Sequence, residues 1–319
     1  MNESVVQAQL DATVQITSFD FLDHRYGGKV RDTYRHADHL LLVTTDRISA
    51  FDHILKQTIP FKGQVLNRLA AWFFEQTADI VRNHVVSVPD PNVTLAQRCT
   101  ALPVEFVVRG YLAGHAWRVY RDGGRALCGK SLPDGLRQNS RLPEPMLTPA
   151  TKAAEGHDED ISRSGILERN ILSESLFDEL ERISLALFER GTQKAAERGL
   201  ILVDTKYEFG LDDEGQIVLI DEIHTPDSSR YFYKDTYEEL LAADQPQRQL
   251  SKEFVREWLM DHGFRGLDGQ VLPDLSDTFR VQVAMRYIEL FEQITGMQFI
   301  PDTSQTPIDR IASNIRSVL

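Results

Sequence analysis

Residues 200–227 read LILVDTKYEFGLDDEGQIVLIDEIHTPD, two apolar runs separated by an acidic turn that contains a glycine. The pattern predicts strands at 200–209 and 216–223 joined as an antiparallel hairpin. Asp204, Lys206 and Glu208 fall on one parity of the first strand and therefore on one face. A two-residue Glu214-Gly215 turn pairs residue 213 with 216 and sets Glu208 opposite Asp221. Like charges directly opposite destabilise a sheet, and two carboxylates within reach favour a shared proton or a cation. Oxygen ligands of this kind suit Mg²⁺, which takes one or two protein carboxylates with phosphate oxygens and waters. Glu208 and Asp221 are thus the candidate metal pair, with Lys206 on the same face as a phosphate contact or a carboxylate partner. The alternative is a solvated hairpin face with its charges spread apart, and a bulged three-residue turn would move the pairing by one.

Upstream, Tyr26 and Val30 flank Gly27-Gly28-Lys29, and the apolar run 40–43 follows, which reads as strand, tight turn, strand. Positions Val65, Leu69, Trp72, Phe73 and Ile80 recur at roughly helical spacing, and residues 102–108 (LPVEFVV) form a strand candidate leading into Arg109. Residues 123–165, rich in Gly, Pro, Ser and charge, read as long loops of the sort that carry a site. Leu176, Leu180, Ile183 and Leu187 mark an amphipathic helix ending near Gly199, with further helices at 254–259 and 281–291. This order mixes α and β without the regular βαβ units of a doubly wound sheet.

The 319 residues carry 48 acidic and 35 basic side chains, a net charge of -13, and 42% are hydrophobic. Such a chain folds as one or two globular domains, and no apolar run approaches a bilayer span. Its acidity excludes long-range steering of polyanions, so neither nucleic acid nor a membrane surface is expected as a partner, while a local basic cleft stays compatible with small anions. Cys99 and Cys128 form no CxxC motif, and the opening MNESVVQAQLDA has no apolar core of a secretory signal, so a cytoplasmic protein with free thiols is expected.

Gly28, Lys29, Val30 and Arg31 combine a flexible turn with two cations. Glycine lets backbone N–H groups approach phosphate oxygens and Lys29 adds a point charge, although a hairpin turn with a surface lysine reads equally well. Neither a Walker A pattern nor GxGxxG occurs. The segment 46–52, with Ser49 and Asp52, follows a strand and serves either a site or structural capping. Arg109 and Arg230 offer planar forks for carboxylate or phosphate, or structural ion pairs. Thr148 to Lys152 and the run 156–160 (GHDED) lie in the polar middle, without a zinc-type histidine spacing, and no serine sits in a GxSxG elbow.

Taken in order, GKVRDTY (28–34), TDRISAFD (45–52), PVEFVVRGYLAG (103–114), TPATKAAEGHDEDI (148–161), DTKYEFG (204–210) and DEIHTPDSSRYF (221–232) resemble the SAICAR synthetase family of purine biosynthesis. The resemblance implies an α+β, two-lobed SAICAR-synthetase-like fold with antiparallel sheets and an interlobe ATP cleft, divided into a mainly β lobe at 1–108 and an α+β lobe at 109–319. It implies an ATP-dependent ligase joining L-aspartate to the carboxylate of an imidazole ribonucleotide, with ATP and Mg²⁺ as cofactors. Gly28, Lys29, Val30 and Arg31 then cover the ATP phosphates, and Glu208 with Asp221 organise Mg²⁺ and nucleotide. Lys206, Asp221 and Arg230 are implied as catalytic, while Ser49, Asp52, Arg109, Lys152, Asp158 and Arg230 are implied at the substrates. His115 stands where relatives often carry Ser. The partners implied are small molecules, and a monomer is among the states the family allows. A kinase-like enzyme and a non-enzymatic nucleotide sensor are the rivals, the former lacking HRD and DFG signatures.

Overall fold

The computed structural model describes residues 1–152 and 159–319. Two antiparallel sheets dominate it. The first comprises β1 (Asp23–Gly27), β2 (Arg31–His36), β3 (His39–Thr44), β4 (Val85–Asp90) and β5 (Val93–Gln97), in the order β1-β2-β3-β5-β4. The second comprises β6 (Thr100–Tyr111), β7 (Arg141–Thr151), β8 (Glu159–Asp160), β9 (Leu200–Leu211), β10 (Ile217–Ile220), β11 (Ser229–Tyr233) and β12 (Gln249–Leu250). Its order is β8-β7-β6-β9-β11-β12, with β10 paired to the far end of β9.

The glycine turn forms as the sequence predicts, with Gly27 opposite Asp32 and the Gly28 N–H donating to the Arg31 carbonyl at 2.7 Å. The acidic hairpin forms with a different register. Leu211 pairs with Ile217 and Glu208 with Ile220, because Asp212 bonds Gln216 around a three-residue turn in which Gly215 has φ +75°. One extra turn residue moves each pair by one, so Asp221 does not face Glu208 across the ladder.

The described residues of 123–152 and 159–165 are also more ordered than their composition suggests. Within them, β7 runs for 11 residues beside β6 despite Pro143, Pro145 and Pro149. A bulge between Arg141 and Met146 takes up the first two prolines, since a proline cannot donate to a regular ladder. The boundary expected at 108/109 falls inside β6, which pairs with β9 from Thr100 to Arg109 and so carries residues 100–108 into the second sheet.

On β6 and β9 alternation divides the two faces. Val104, Phe106, Val108, Tyr207 and Phe209 are buried in the main core, where Leu180, Ile183, Leu187 and Phe188 of the helix Glu174–Ala196 cover them. Glu105, Arg109, Asp204, Lys206 and Glu208 lie on the opposite face, which is the face that holds the site. The helix Lys62–Gln76 packs in the same core with the helix Asp277–Thr295. Past them the chain returns to the first sheet, where Ile311 and Ile315 of Pro307–Arg316 bury against Tyr34, Leu41, Val43 and Val93. The Arg310 guanidinium is sealed there on Asp90 at 2.9 Å. Backbone bonds between residues 82–84 and Leu219 of β10 join the two sheets at the back of a cleft. Among the described residues no helix is long and apolar enough to cross a membrane.

Candidate active site

Two cavities meet in this cleft. The first, about 470 Å³, lies between the glycine turn and the β9/β10 hairpin and is lined by Gly28, Lys29, Val30, Arg31, Glu208 and Asp221, among others. The second, about 710 Å³, lies over the ends of β6, β9 and β11 and is lined by Asp52, Arg109, His115, Arg118, Arg230 and Arg256, among others. Lys206, Asp227 and Lys252 belong to both walls.

The glycine turn is fixed from beneath. Arg47 donates to the carbonyls of Gly28 at 2.9 Å, Lys29 at 3.3 Å and Gln15 at 2.5 Å, and to Asp32 Oδ1 at 2.9 Å. Asp32 is fully buried and also accepts from the N–H and hydroxyl of Thr17. Asp46, in the same strand-end segment as Arg47, accepts from the Gly63 N–H in the first turn of Lys62–Gln76, and burial pushes its carboxyl up to about 6. Both are structural, while Ser49 lines the first cavity and Asp52 the second, where it pairs with Lys29.

Lys206 is the hub of the acidic hairpin. Its ammonium bonds Glu208, lies 3.0 Å from Glu105 and is 3.7 Å from Asp221. Glu105 faces Glu208 across β6 and β9, so the like-charged pair exists, but between different strands from those the sequence suggested. Asp221 reaches the cluster because its φ of +65° turns the chain at the end of β10. Burial disfavours the Lys206 charge, yet Glu208, Asp221 and Glu105 outweigh that and raise it well above an ordinary lysine. Burial likewise pushes Glu208 up, but Lys206 and Lys152 hold it down near 2. Asp221, buried beside Glu208, is raised to about 6 despite Arg31 and Lys206. Arg31 spans Asp221 and Glu222 at 2.8 Å each, so its guanidinium serves the carboxylates rather than standing free over the cavity.

These residues fit Mg²⁺ carried on a phosphate. Glu208 and Asp221 already flank one cation, the Lys206 ammonium, and the described residues hold no cluster of three or more His, Cys, Asp or Glu groups arranged for a metal. Two carboxylates with the remaining positions filled by phosphate and water is the usual Mg²⁺ arrangement.

In the second cavity Asp204 ties two arginines. Arg109 and Arg230 are its cross-strand neighbours on either side, at 3.4 and 2.5 Å, and Arg230 also holds Glu253 at 2.9 Å. Arg109 further donates to Thr148 at 2.9 Å. Gly114, at φ +54°, lies so close to Arg230 that a Cβ there would sit 2.4 Å from the guanidinium. His115 Nε2 is 2.6 Å from Asp160. Lys152 turns into the first cavity and bonds Glu208, and Asp158 lies outside the described residues.

Sequence reasoning missed Glu105, Glu222, Asp227, Arg118, Lys252 and Arg256. A lone glutamate inside the apolar run LPVEFVV was a usable signal for Glu105, as was the three-residue spacing of His115, Arg118 and Arg121 on one helix face. Lys252 sits in no motif. It follows the short edge strand β12 and reaches the cleft only because that strand pairs with β11.

Residues 24–267 match the SAICAR synthetase family. A phosphoribosylaminoimidazole-succinocarboxamide synthase of Bacteroides thetaiotaomicron is 52% identical over 307 residues, covering 95% of this chain and 98% of its own. The SAICAR synthase of Saccharomyces cerevisiae solved in complex with SAICAR is 32% identical, with a TM-score of 0.78 over 91% of this chain and all of that one. A SAICAR synthetase in complex with ADP is 27% identical, with a TM-score of 0.68 over 87% of this chain and all of its own.

Proposed function

This chain belongs to the SAICAR synthetase family, and on that premise we propose how its own residues divide the work of the reaction. The enzyme joins L-aspartate to the carboxylate of 5-amino-1-(5-phospho-D-ribosyl)imidazole-4-carboxylate at the expense of ATP, forming SAICAR, ADP and phosphate. The observation that carries the division of labour is the pair of cavities sharing Lys206, Asp227 and Lys252.

ATP takes the first cavity, with the backbone of Gly28, Lys29 and Val30 over its phosphates and Lys29 as a point charge. Glu208 and Asp221 would hold Mg²⁺, which would offset charge on the phosphoryl oxygens. Arg31 keeps Asp221 and Glu222 in place. The ribonucleotide takes the second cavity, its anionic groups on Arg109 and Arg230, whose forks Asp204 aligns. Ser49 and Asp52 lie along the border, and Lys152 and Asp158 belong to the segment that meets the substrates.

A carboxylate is a poor electrophile. One of its oxygens forms a bond to the γ-phosphorus while the bond to the bridging β–γ oxygen breaks, and ADP leaves. The neutral amine of aspartate then attacks the acyl phosphate, a C–N bond forms, phosphate departs with the C–O electron pair and the amine proton passes to solvent. Lys206 and Lys252, at the shared wall, stabilise negative charge on the transferring group. Holding three anionic partners in line supplies much of the acceleration.

The test is phosphate release from ATP with Mg²⁺, in the presence of ribonucleotide alone, aspartate alone and both, with product mass recorded. Release that needs both substrates and yields the succinocarboxamide mass is expected. Release without a joined product, or nucleotide binding without turnover, would sink the ligase reading on which this division of labour rests.

A further inference from the structure

We infer that Tyr287 is a positioning residue for Lys252: by occupying one oxygen of Asp227, it keeps the Lys252 ammonium on the shared wall of the two cavities. The inference rests on the reading above that Lys252 meets substrate oxygens.

Asp227 has two carboxylate oxygens and three donors around it. Oδ2 accepts from Lys62 at 2.9 Å and lies 3.9 Å from Lys252, while Oδ1 accepts from the Tyr287 hydroxyl at 2.5 Å. Lys62 and Asp227 are almost sealed, at 0 and 4% side-chain exposure, whereas Lys252 keeps 14% and lines both cavities. Both ammonium groups therefore approach the same oxygen, and only the nearer one makes a hydrogen bond. Without the phenol, Oδ1 is a buried charged acceptor lacking a donor, a costly state that the nearest mobile cation relieves. That cation is Lys252. Drawn onto Asp227, its ammonium leaves the wall where a phosphoryl or carboxylate oxygen would meet it.

Other groups facing Lys252 are Glu222, Lys62 and, on the helix Glu253–Asp261 that Lys252 precedes as N-cap, Arg256. Burial holds the Lys252 charge below an ordinary lysine and Asp227 raises it, so a closer Asp227 raises it further. Tyr287 belongs to the helix Asp277–Thr295, beyond the residues 24–267 that match the family. A segment outside the matched region thus reaches the site through one hydrogen bond.

A double-mutant cycle tests this. Tyr287→Phe keeps the ring beside Lys62 and removes only the hydroxyl, and it is expected to lower kcat/KM about tenfold, the scale of one misplaced charge-assisted contact. In a Lys252→Met background the same change has little further effect, since coupled residues are not additive. The alkaline limb of the rate profile that reports Lys252 is the one absent from Lys252→Met, and Tyr287→Phe moves that limb to higher pH. Arg310→Met, which breaks a buried pair with Asp90 that lines neither cavity, lowers the melting temperature without moving that limb. Tyr287→Met likewise carries no donor and has the same two expected outcomes, and it serves as the second variant should Tyr287→Phe not accumulate. Equal losses in the two backgrounds, or an unmoved alkaline limb, overturn the role of Tyr287. A Lys252→Met enzyme with full kcat/KM instead overturns the premise about Lys252, and the inference with it, while leaving the ligase reaction intact.

Discussion

Arg47 holds the backbone of Gly28 from below, its Nη2 donating to the Gly28 carbonyl at 2.9 Å while the same nitrogen reaches Asp32 at the same distance. A glycine turn is freely mobile until something fixes its carbonyls, and fixing them also fixes the peptide N–H groups that adjoin them. Arg47→Lys keeps a charge beside Asp32 but loses the planar fork. Its KM for ATP is expected to rise about tenfold with kcat/KM for aspartate changed less, as steady-state kinetics with each substrate varied will show.

Replacing Glu208 with Gln removes the carboxylate that Lys206 and Lys152 share. The variant is expected to lose about 100-fold in kcat, on the scale of a missing charge-stabilising group, and to need more Mg²⁺ for half-maximal rate. Titrating Mg²⁺ at saturating substrates measures both, and an unchanged Mg²⁺ requirement would remove Glu208 from the proposed metal pair.

Gly114→Ala places a methyl group against the Arg230 guanidinium at a residue whose φ is +54°. The ribonucleotide KM is expected to rise about tenfold through displacement of that fork, while the ATP KM stays near wild type. Equal effects on both substrates would point to general unfolding, which a melting curve distinguishes.

His84 and His224 are both buried, and burial lowers each to about 3. An unfolded chain protonates these rings below about 6.5 while the folded one does not, so they favour folding above that pH, and stability falls as pH drops from about 6.5 toward 3. His224→Asn tolerates the φ of +55° at this position and removes one of the two groups. Its urea midpoint at pH 7 is expected to be lower, because Tyr207 loses a hydrogen-bond partner, but the decline toward pH 5 is expected to be shallower.

Much of the site was legible as residue types in short segments. The parity of Asp204, Lys206 and Glu208 follows from strand period, and the glycine turn from its own two glycines. The identity of their neighbours was not legible. Glu208 meets Glu105 and Ile220, and Asp221 arrives beside it through a left-handed backbone turn at the close of β10. Residues 141–151, with three prolines, carried no strand signal because their pairing with β6 depends on a bulge that no local pattern announces.

The sequence by itself determined the mixed α and β content, the strands and helices of strongest periodicity, the acidic hairpin, the phosphate-suited turn and the family likeness, since all of these act through chemistry within a few residues. Only the tertiary structure decided that Lys206, Asp227 and Lys252 stand on a wall common to two cavities, and that Tyr287, 60 residues from Asp227 along the chain, completes it. Side-chain period fixes which face a residue takes. Which cation meets which carboxylate depends on how a bulge, an extra turn residue and a returning helix bring those faces together.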